Sequence, residues 1–366
     1  MNGELGLYLH VPFCRTRCRY CDFYRVGENR ARMDRFVAAL EREIDGWTGL
    51  HGAAVATVFF GGGTPSLLAP EEIAAVISRL GRRFVLAPGA EITAEANPSD
   101  LDPARLRALR AAGVNRLSIG VQSFVDRELR LLGRRHDGGR AAAVVAEARR
   151  AGFDNLSLDL MVGIPAQTDG SFAASLARAL DLEPDHLSLY LLEVHGGSEI
   201  DALRRERPRL FAGEDAQRRR YLAMRERLER AGYRAYEISN FARPGRECRH
   251  NLRYWRCAPW LGLGPAAHSF VGGRRFRHPP DLEAWFADPL ATEELPVSAA
   301  VERVMLGLRL AEGIEEAALG ATGIDAREID RRLARLAPFV TRREGRLRLT
   351  AEGCVVSNAV LVELLA

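Results

Sequence analysis

The chain has 366 residues, 47% hydrophobic and 27% charged, with 52 basic residues against 48 acidic ones for a net charge of +4. That is enough apolar material for a large core, which excludes a disordered or fibrous chain, and the charge is too balanced to make nucleic acid a partner. No apolar run reaches the ~18 residues needed to cross a bilayer, and the start MNGELGLYLH has no signal-peptide pattern, so a cytoplasmic protein without a transmembrane segment is expected.

From the N-terminus, strand-like segments are expected at Leu5 to Val11, Ala56 to Phe60, Glu91 to Ala94, Arg116 to Ile119, Leu156 to Met161 and His186 to Leu192. Amphipathic stretches such as EEIAAVISRLGRRF and GRAAAVVAEARRAGF lie between them, and several end in Gly just before the next strand. The alternation argues for parallel strands with helices outside. The predicted fold class is α/β, an incomplete (β/α)6 TIM-like barrel over residues 1–238, with a doubly wound sheet as the alternative. A further helix and strand are expected in RYLAMRERLERAGYRAYEIS. Residues 239–295 read as a connecting region containing HNLRYW. From 296 to 366 the pattern changes to a small, mainly helical, winged-helix-like domain: a helix with Val301, Val304, Met305 and Leu308 on one face, a second in AREIDRRLARL, a short strand in RLRLT and a final helix. Acids are mixed with the arginines there, so no basic stripe for nucleic acid appears.

In such barrels the chemistry sits where strands end and loops begin. Here those ends carry a cysteine loop, then GGGTPS, EANP and GVQS, and the fifth strand carries Asp159. Glycines after a buried strand let backbone groups approach a small polar ligand. Cys14, Cys18 and Cys21 follow a C-x3-C-x2-C spacing. In a reducing compartment this is a poor disulfide framework and a better metal site. Structural zinc would need a fourth ligand, for which Cys248, His250 or Cys257 stand available. An iron–sulfur cube held by three thiolates would keep its fourth iron open.

CRTRCRYC followed by GGGTP resembles the radical SAM superfamily, whose open iron binds S-adenosylmethionine. YLHVPFC, FFGGGTPS, EANP, SIGVQSF and DLMVGIPAQT resemble the branch that holds oxygen-independent coproporphyrinogen III dehydrogenase and the HemW-type heme chaperones, and CRHNLRYW and GLGPAAHS are similar to the chaperone signatures. The resemblance implies a [4Fe–4S] cluster on Cys14, Cys18 and Cys21. It implies S-adenosylmethionine contacts at Gly62 and Glu95, with Tyr8 at the cluster side and Tyr20 near adenine. Gly63, Thr64, Gln122, Arg134 and Asp159 match the residues that hold a second S-adenosylmethionine in the dehydrogenase. That enzyme has a further Cys where this chain has Phe23, and a long N-terminal segment where this chain reaches its first strand within ten residues. Both point to the chaperone branch, with heme as ligand and heme-accepting apo-proteins as partners. A homodimer is a further expectation. His250 is the expected heme ligand, His10 and His268 being the other candidates, with Tyr254 and Trp255 as porphyrin faces and Arg249 and Arg253 as propionate partners. Dehydrogenase or radical methyltransferase activity is the alternative reading; S-adenosylmethionine cleavage fits either, but conversion of coproporphyrinogen III is not expected.

Overall fold

The structure, a computed structural model, describes residues 4–365. The chain forms two compact units: one holds residues up to Ala212 together with Pro259–Leu295, the other Gly213–Ala258 with Pro296 onward.

The first unit is built on six parallel strands, β1 (Leu5–Val11), β2 (Ala54–Gly62), β3 (Val85–Ala96), β4 (Arg116–Gln122), β5 (Leu156–Val162) and β6 (His186–Leu191). Each pairs in parallel with the next in chain order. A doubly wound sheet reverses its strand order at a switch point; this one never does, so the barrel-type winding is the observed one. β1 and β2 are buried almost without interruption, as strands covered on both faces must be.

Helices return the chain between strands: Arg30–Gly46, Pro70–Arg83, Pro103–Ala111, Gly138–Arg150 and Asp169–Asp181 are the longer ones. Their starts are fixed chemically. Asn29, Asp102, Asp137 and Thr168 each accept the backbone N–H three residues on, satisfying a donor that the first helical turn leaves open.

Outside β1 the sheet continues with β7 (Trp260–Leu263), parallel to it, and then β8 (His268–Val271), β9 (Arg274–Arg277) and β10 (Glu293–Leu295), each antiparallel to the one before. The segment 239–295, expected as one connecting region, is therefore divided: its part from Pro259 extends the sheet and its first part belongs to the other unit. Buried Glu43 fixes this extension. Its Oε2 accepts from Gly264 N at 2.9 Å and from Trp285 Nε1 at 3.1 Å, and its Oε1 meets His278 Nε2 at 2.8 Å.

The second unit packs the helices Ala299–Gly307, Ala326–Arg335 and Ser357–Leu365 with a three-stranded antiparallel sheet of Ile314–Glu315, Arg346–Leu349 and Val340–Arg343. Val304, Leu308, Leu333, Leu347 and Leu361 lie in their shared core, a winged-helix-like arrangement. Met305, expected on the apolar face, remains 38% exposed because it lies one position round the helix from Val304. The final helix is broken at Val356. The helix expected after residue 213 forms as Glu214–Arg230, but the strand after it is only Arg234–Ala235, antiparallel to Asn240–Ala242. The boundary drawn at 238 thus falls inside this unit.

Candidate functional site

Ends of β1 to β5 bring together residues far apart in sequence. The cysteine loop leaves β1 and is closed at its base by parallel pairing of Phe13 and Cys14 with Val26 and Gly27. Its middle is pinned by Arg19, whose N–H donates to the Leu132 carbonyl at 3.1 Å and whose carbonyl accepts from Ile200 N at 3.2 Å. Two of the three sulfurs, those of Cys14 and Cys18, are tied to the strand ends by a chain of side chains. Thr64 Oγ1 donates to Cys14 Sγ at 3.6 Å, Asn97 Nδ2 donates to Thr64 Oγ1 at 3.1 Å, and Arg134 donates to Asn97 Oδ1 through Nη2 and to Cys18 Sγ through Nη1, the latter at 3.5 Å. Arg134 is itself fixed by Gly120 O at 2.6 Å. Donors aimed at sulfur stabilise thiolate and tune any metal it holds.

The glycines after β2 have a reason in packing. Gly62 has φ +104°, and a Cβ there would stand 2.6 Å from the His10 ring; at Gly63 it would stand 2.7 Å from the Phe13 carbonyl oxygen. The close approach is thus to the base of the cysteine loop, and Gly63 N donates to Val11 O at 2.8 Å. His10 is locked between Tyr8, whose hydroxyl lies 3.1 Å from Nδ1, and the Tyr24 carbonyl, 2.9 Å from Nε2. Burial lowers its pKa to about 4, so it stays neutral. Both ring nitrogens are occupied, which removes His10 as a ready heme ligand.

Glu95 sits fully buried at the end of β3, its Oε2 accepting from Gly62 N at 3.2 Å. Burial, and then the charge of Asp159, push its pKa up to about 8. Burial also raises Asp159, against the stabilising pull of hydrogen bonds from Ser188 and Ser118 and of Arg116. Burial raises the Tyr20 hydroxyl against the pull of Arg134, and the Tyr20 ring packs on Leu132, Met161, Ile164, Leu192 and Ile200. Gln122 adopts φ +67°, unusual for a residue with a side chain, and its Oε1 is buried without a hydrogen-bond partner. An orphaned buried acceptor in a strained residue is the mark of a site shaped for something else to bind.

The donors fit an iron–sulfur cluster. All three cysteines are free and half-buried. Burial, countered by Thr64 at Cys14 and by the Phe23 backbone and Arg25 at Cys21, holds both thiols above their ordinary value, so metal uptake would release protons. Among the described residues, no three His, Cys, Asp or Glu side chains converge on one point, as a mononuclear ion requires. A cube gives each thiolate its own iron and needs no such convergence. The residues that could hold S-adenosylmethionine are those of the rim just described, around Glu95, Gly62 and Gln122, where the Gln122 Oε1 is a buried acceptor without a partner.

His250 lies in the second unit, on the helix Arg249–Trp255, and is 0% exposed. Its Nε2 is 2.8 Å from the Tyr254 hydroxyl, and the two rings meet edge to face. Arg309 covers the Trp255 ring at 5.4 Å, and Trp255 Nε1 is buried without a hydrogen bond. The imidazole expected to be open from HNLRYW is therefore closed by Tyr254, whereas Tyr254 and Trp255 are themselves only half-buried. His268, by contrast, is exposed on β8.

Sequence reasoning passed over Asn97, Ser118 and Arg116. Asn97 stood inside the quoted EANP. Ser118 was signalled only as a polar residue between Leu117 and Ile119 in its strand.

Residues 8–179 match the radical SAM superfamily and residues 298–356 the HemN C-terminal domain. The sequential parallel strands, the three-cysteine loop on the first and the polar rim define a radical SAM protein. Along its whole length the chain is 40% identical to a protein of Mycobacterium tuberculosis named heme chaperone HemW, covering 96% of it, and over 75% of its length it is 38% identical to the Escherichia coli protein of that name, covering 74%. It belongs to the HemW family. A solved structure of E. coli coproporphyrinogen III oxidase (HemN), described as a radical SAM enzyme, superposes with a TM-score of 0.84 at 26% identity, covering 99% of this chain and 90% of that one.

Proposed function

We propose that the protein is a heme chaperone, binding heme and delivering it to apo-proteins while carrying a [4Fe–4S] cluster on Cys14, Cys18 and Cys21. The observation that carries this reading is 40% identity over the entire chain to a protein named for that role. The cluster, when bound, supplies an open iron for the amino and carboxylate groups of S-adenosylmethionine. Thr64 and Arg134 hold the Cys14 and Cys18 sulfurs, and Glu95 presents a carboxyl to the amino group. Gln122 offers its unpartnered Oε1, with Gly63 and Asp159 beside it; Tyr8 and Tyr20 close the cluster and adenine sides. His250 is the proposed iron ligand, and because Tyr254 caps it, ligation requires that hydrogen bond to break. No helix among the described residues is long and apolar enough to cross a membrane.

Heme titration of the anaerobically reconstituted protein, with and without S-adenosylmethionine, tests the reading. Saturable binding of one heme per chain is expected; no Soret change at all would sink it. The likeness to coproporphyrinogen III oxidase favours a second reading, decarboxylation of coproporphyrinogen III. Multiple turnovers to the decarboxylated porphyrinogen, with reductant and S-adenosylmethionine, would establish that reading instead. Phe23, where the dehydrogenase carries a cysteine, argues that none will be found.

A further inference from the structure

The cysteine loop encloses more than the three thiols. A cleft of about 490 Å³ runs between Cys14 and Cys21 and the outer wall formed by Arg17, Phe23 and Arg25, with Asp22 on its rim. Phe23, in the same loop, is 62% exposed. Arg17 is exposed and has no hydrogen-bond or ion-pair partner among the described residues. Arg25 donates only to the carbonyls of Cys21 and Phe23, each at 3.0 Å, so its charge is held in place and not neutralised. The third arginine of the wall, Arg15, is already paired with Glu28 at 2.9 Å. Asp22 lies 3.4 Å from His195 Nε2.

An exposed aromatic ring lining one cleft with two guanidinium groups that have no carboxylate partners complements a flat apolar ligand bearing carboxylates. We infer that this cleft is a docking site for the heme macrocycle, with Phe23 against the ring and Arg17 and Arg25 pairing the propionates. The inference rests on the heme-chaperone reading and adds to it a site beside the cluster that does not depend on how the iron is ligated. It also gives Phe23 a role of its own.

The probes are metal-free protoporphyrin IX, which has no iron for a histidine to ligate, and its dimethyl ester, which has no carboxylates. They are tested alongside heme on the full reconstituted chain. Wild type should bind protoporphyrin IX about tenfold more tightly than the ester, the scale of a charge-assisted hydrogen bond. Arg17→Glu should erase that preference, and Phe23→Ser should weaken both probes while iron content stays at the wild-type value. Arg17→Gln, which removes the charge without reversing it, should lose part of the preference and serves as the test should the Glu variant lose its cluster. If wild type binds heme but the variants hold both probes as wild type does, the site is wrong and the chaperone reading stands. If wild type binds neither heme nor probes, the reading itself falls.

Discussion

Replacing Glu95 with Gln separates the cost of the site from its use. In the folded protein burial pushes the pKa of this carboxyl up to about 8 from its ordinary 4.5. A raised carboxyl pKa means that the folded state binds a proton the unfolded state releases, so stability falls as pH rises from about 4.5 to about 8 and then levels off. At pH 7 the penalty is about 3 kcal/mol, at ~1.4 kcal/mol for each pH unit above the unfolded value. Gln keeps an acceptor for Gly62 N but does not titrate. The ligand-free variant should therefore match wild type at pH 4.5 and exceed it in melting temperature by a margin that grows up to pH 8. It should also bind S-adenosylmethionine more weakly, since the carboxylate opposite the amino group is lost. The assay is anaerobic thermal unfolding of cluster-free protein across that pH range. A difference between Gln and Glu that does not change with pH would refute the reasoning, because it would show that Glu95 is not a strained, proton-holding group.

Replacing Cys14, Cys18 and Cys21 with Ala should remove the iron and the brown chromophore while leaving the circular dichroism of the barrel, whereas Cys248→Ala with Cys257→Ala should keep both; iron analysis decides. Tyr254→Phe should speed or tighten heme binding several-fold if His250 is the ligand, because the cap on Nε2 is gone, and His250→Ala should shift the Soret band; unchanged spectra in both would move the iron to another residue, with exposed His268 next to be tested. Gly62→Ala should lower stability by about 2–4 kcal/mol in chemical denaturation, through positive φ and collision with the buried His10 ring.

Much of the first unit was legible because its strands are short apolar runs ended by glycine or polar residues. β1 has the bounds the sequence predicts, Leu5 to Val11. β7 was missed since four residues, WLGL, enclosed by proline and glycine carry no period. The site was legible as a set of strand ends but not as a circuit. Thr64 and Asn97 are 33 positions apart and Asn97 and Arg134 are 37, and nothing local to any of them reports the others. The reading of HNLRYW was silent on burial: a seven-residue helix does not announce which side faces the core, and His250 lies on that side.

The most direct test of the account is heme transfer. The reconstituted protein, loaded with one heme per chain, is mixed anaerobically with excess apo-myoglobin as a neutral acceptor and the Soret spectrum is followed. The account predicts stoichiometric passage of heme to the acceptor at a rate above that of free heme released by buffer-diluted protein, with the [4Fe–4S] absorption unchanged. Heme that stays bound, or that transfers only as fast as it dissociates, would contradict delivery as the function.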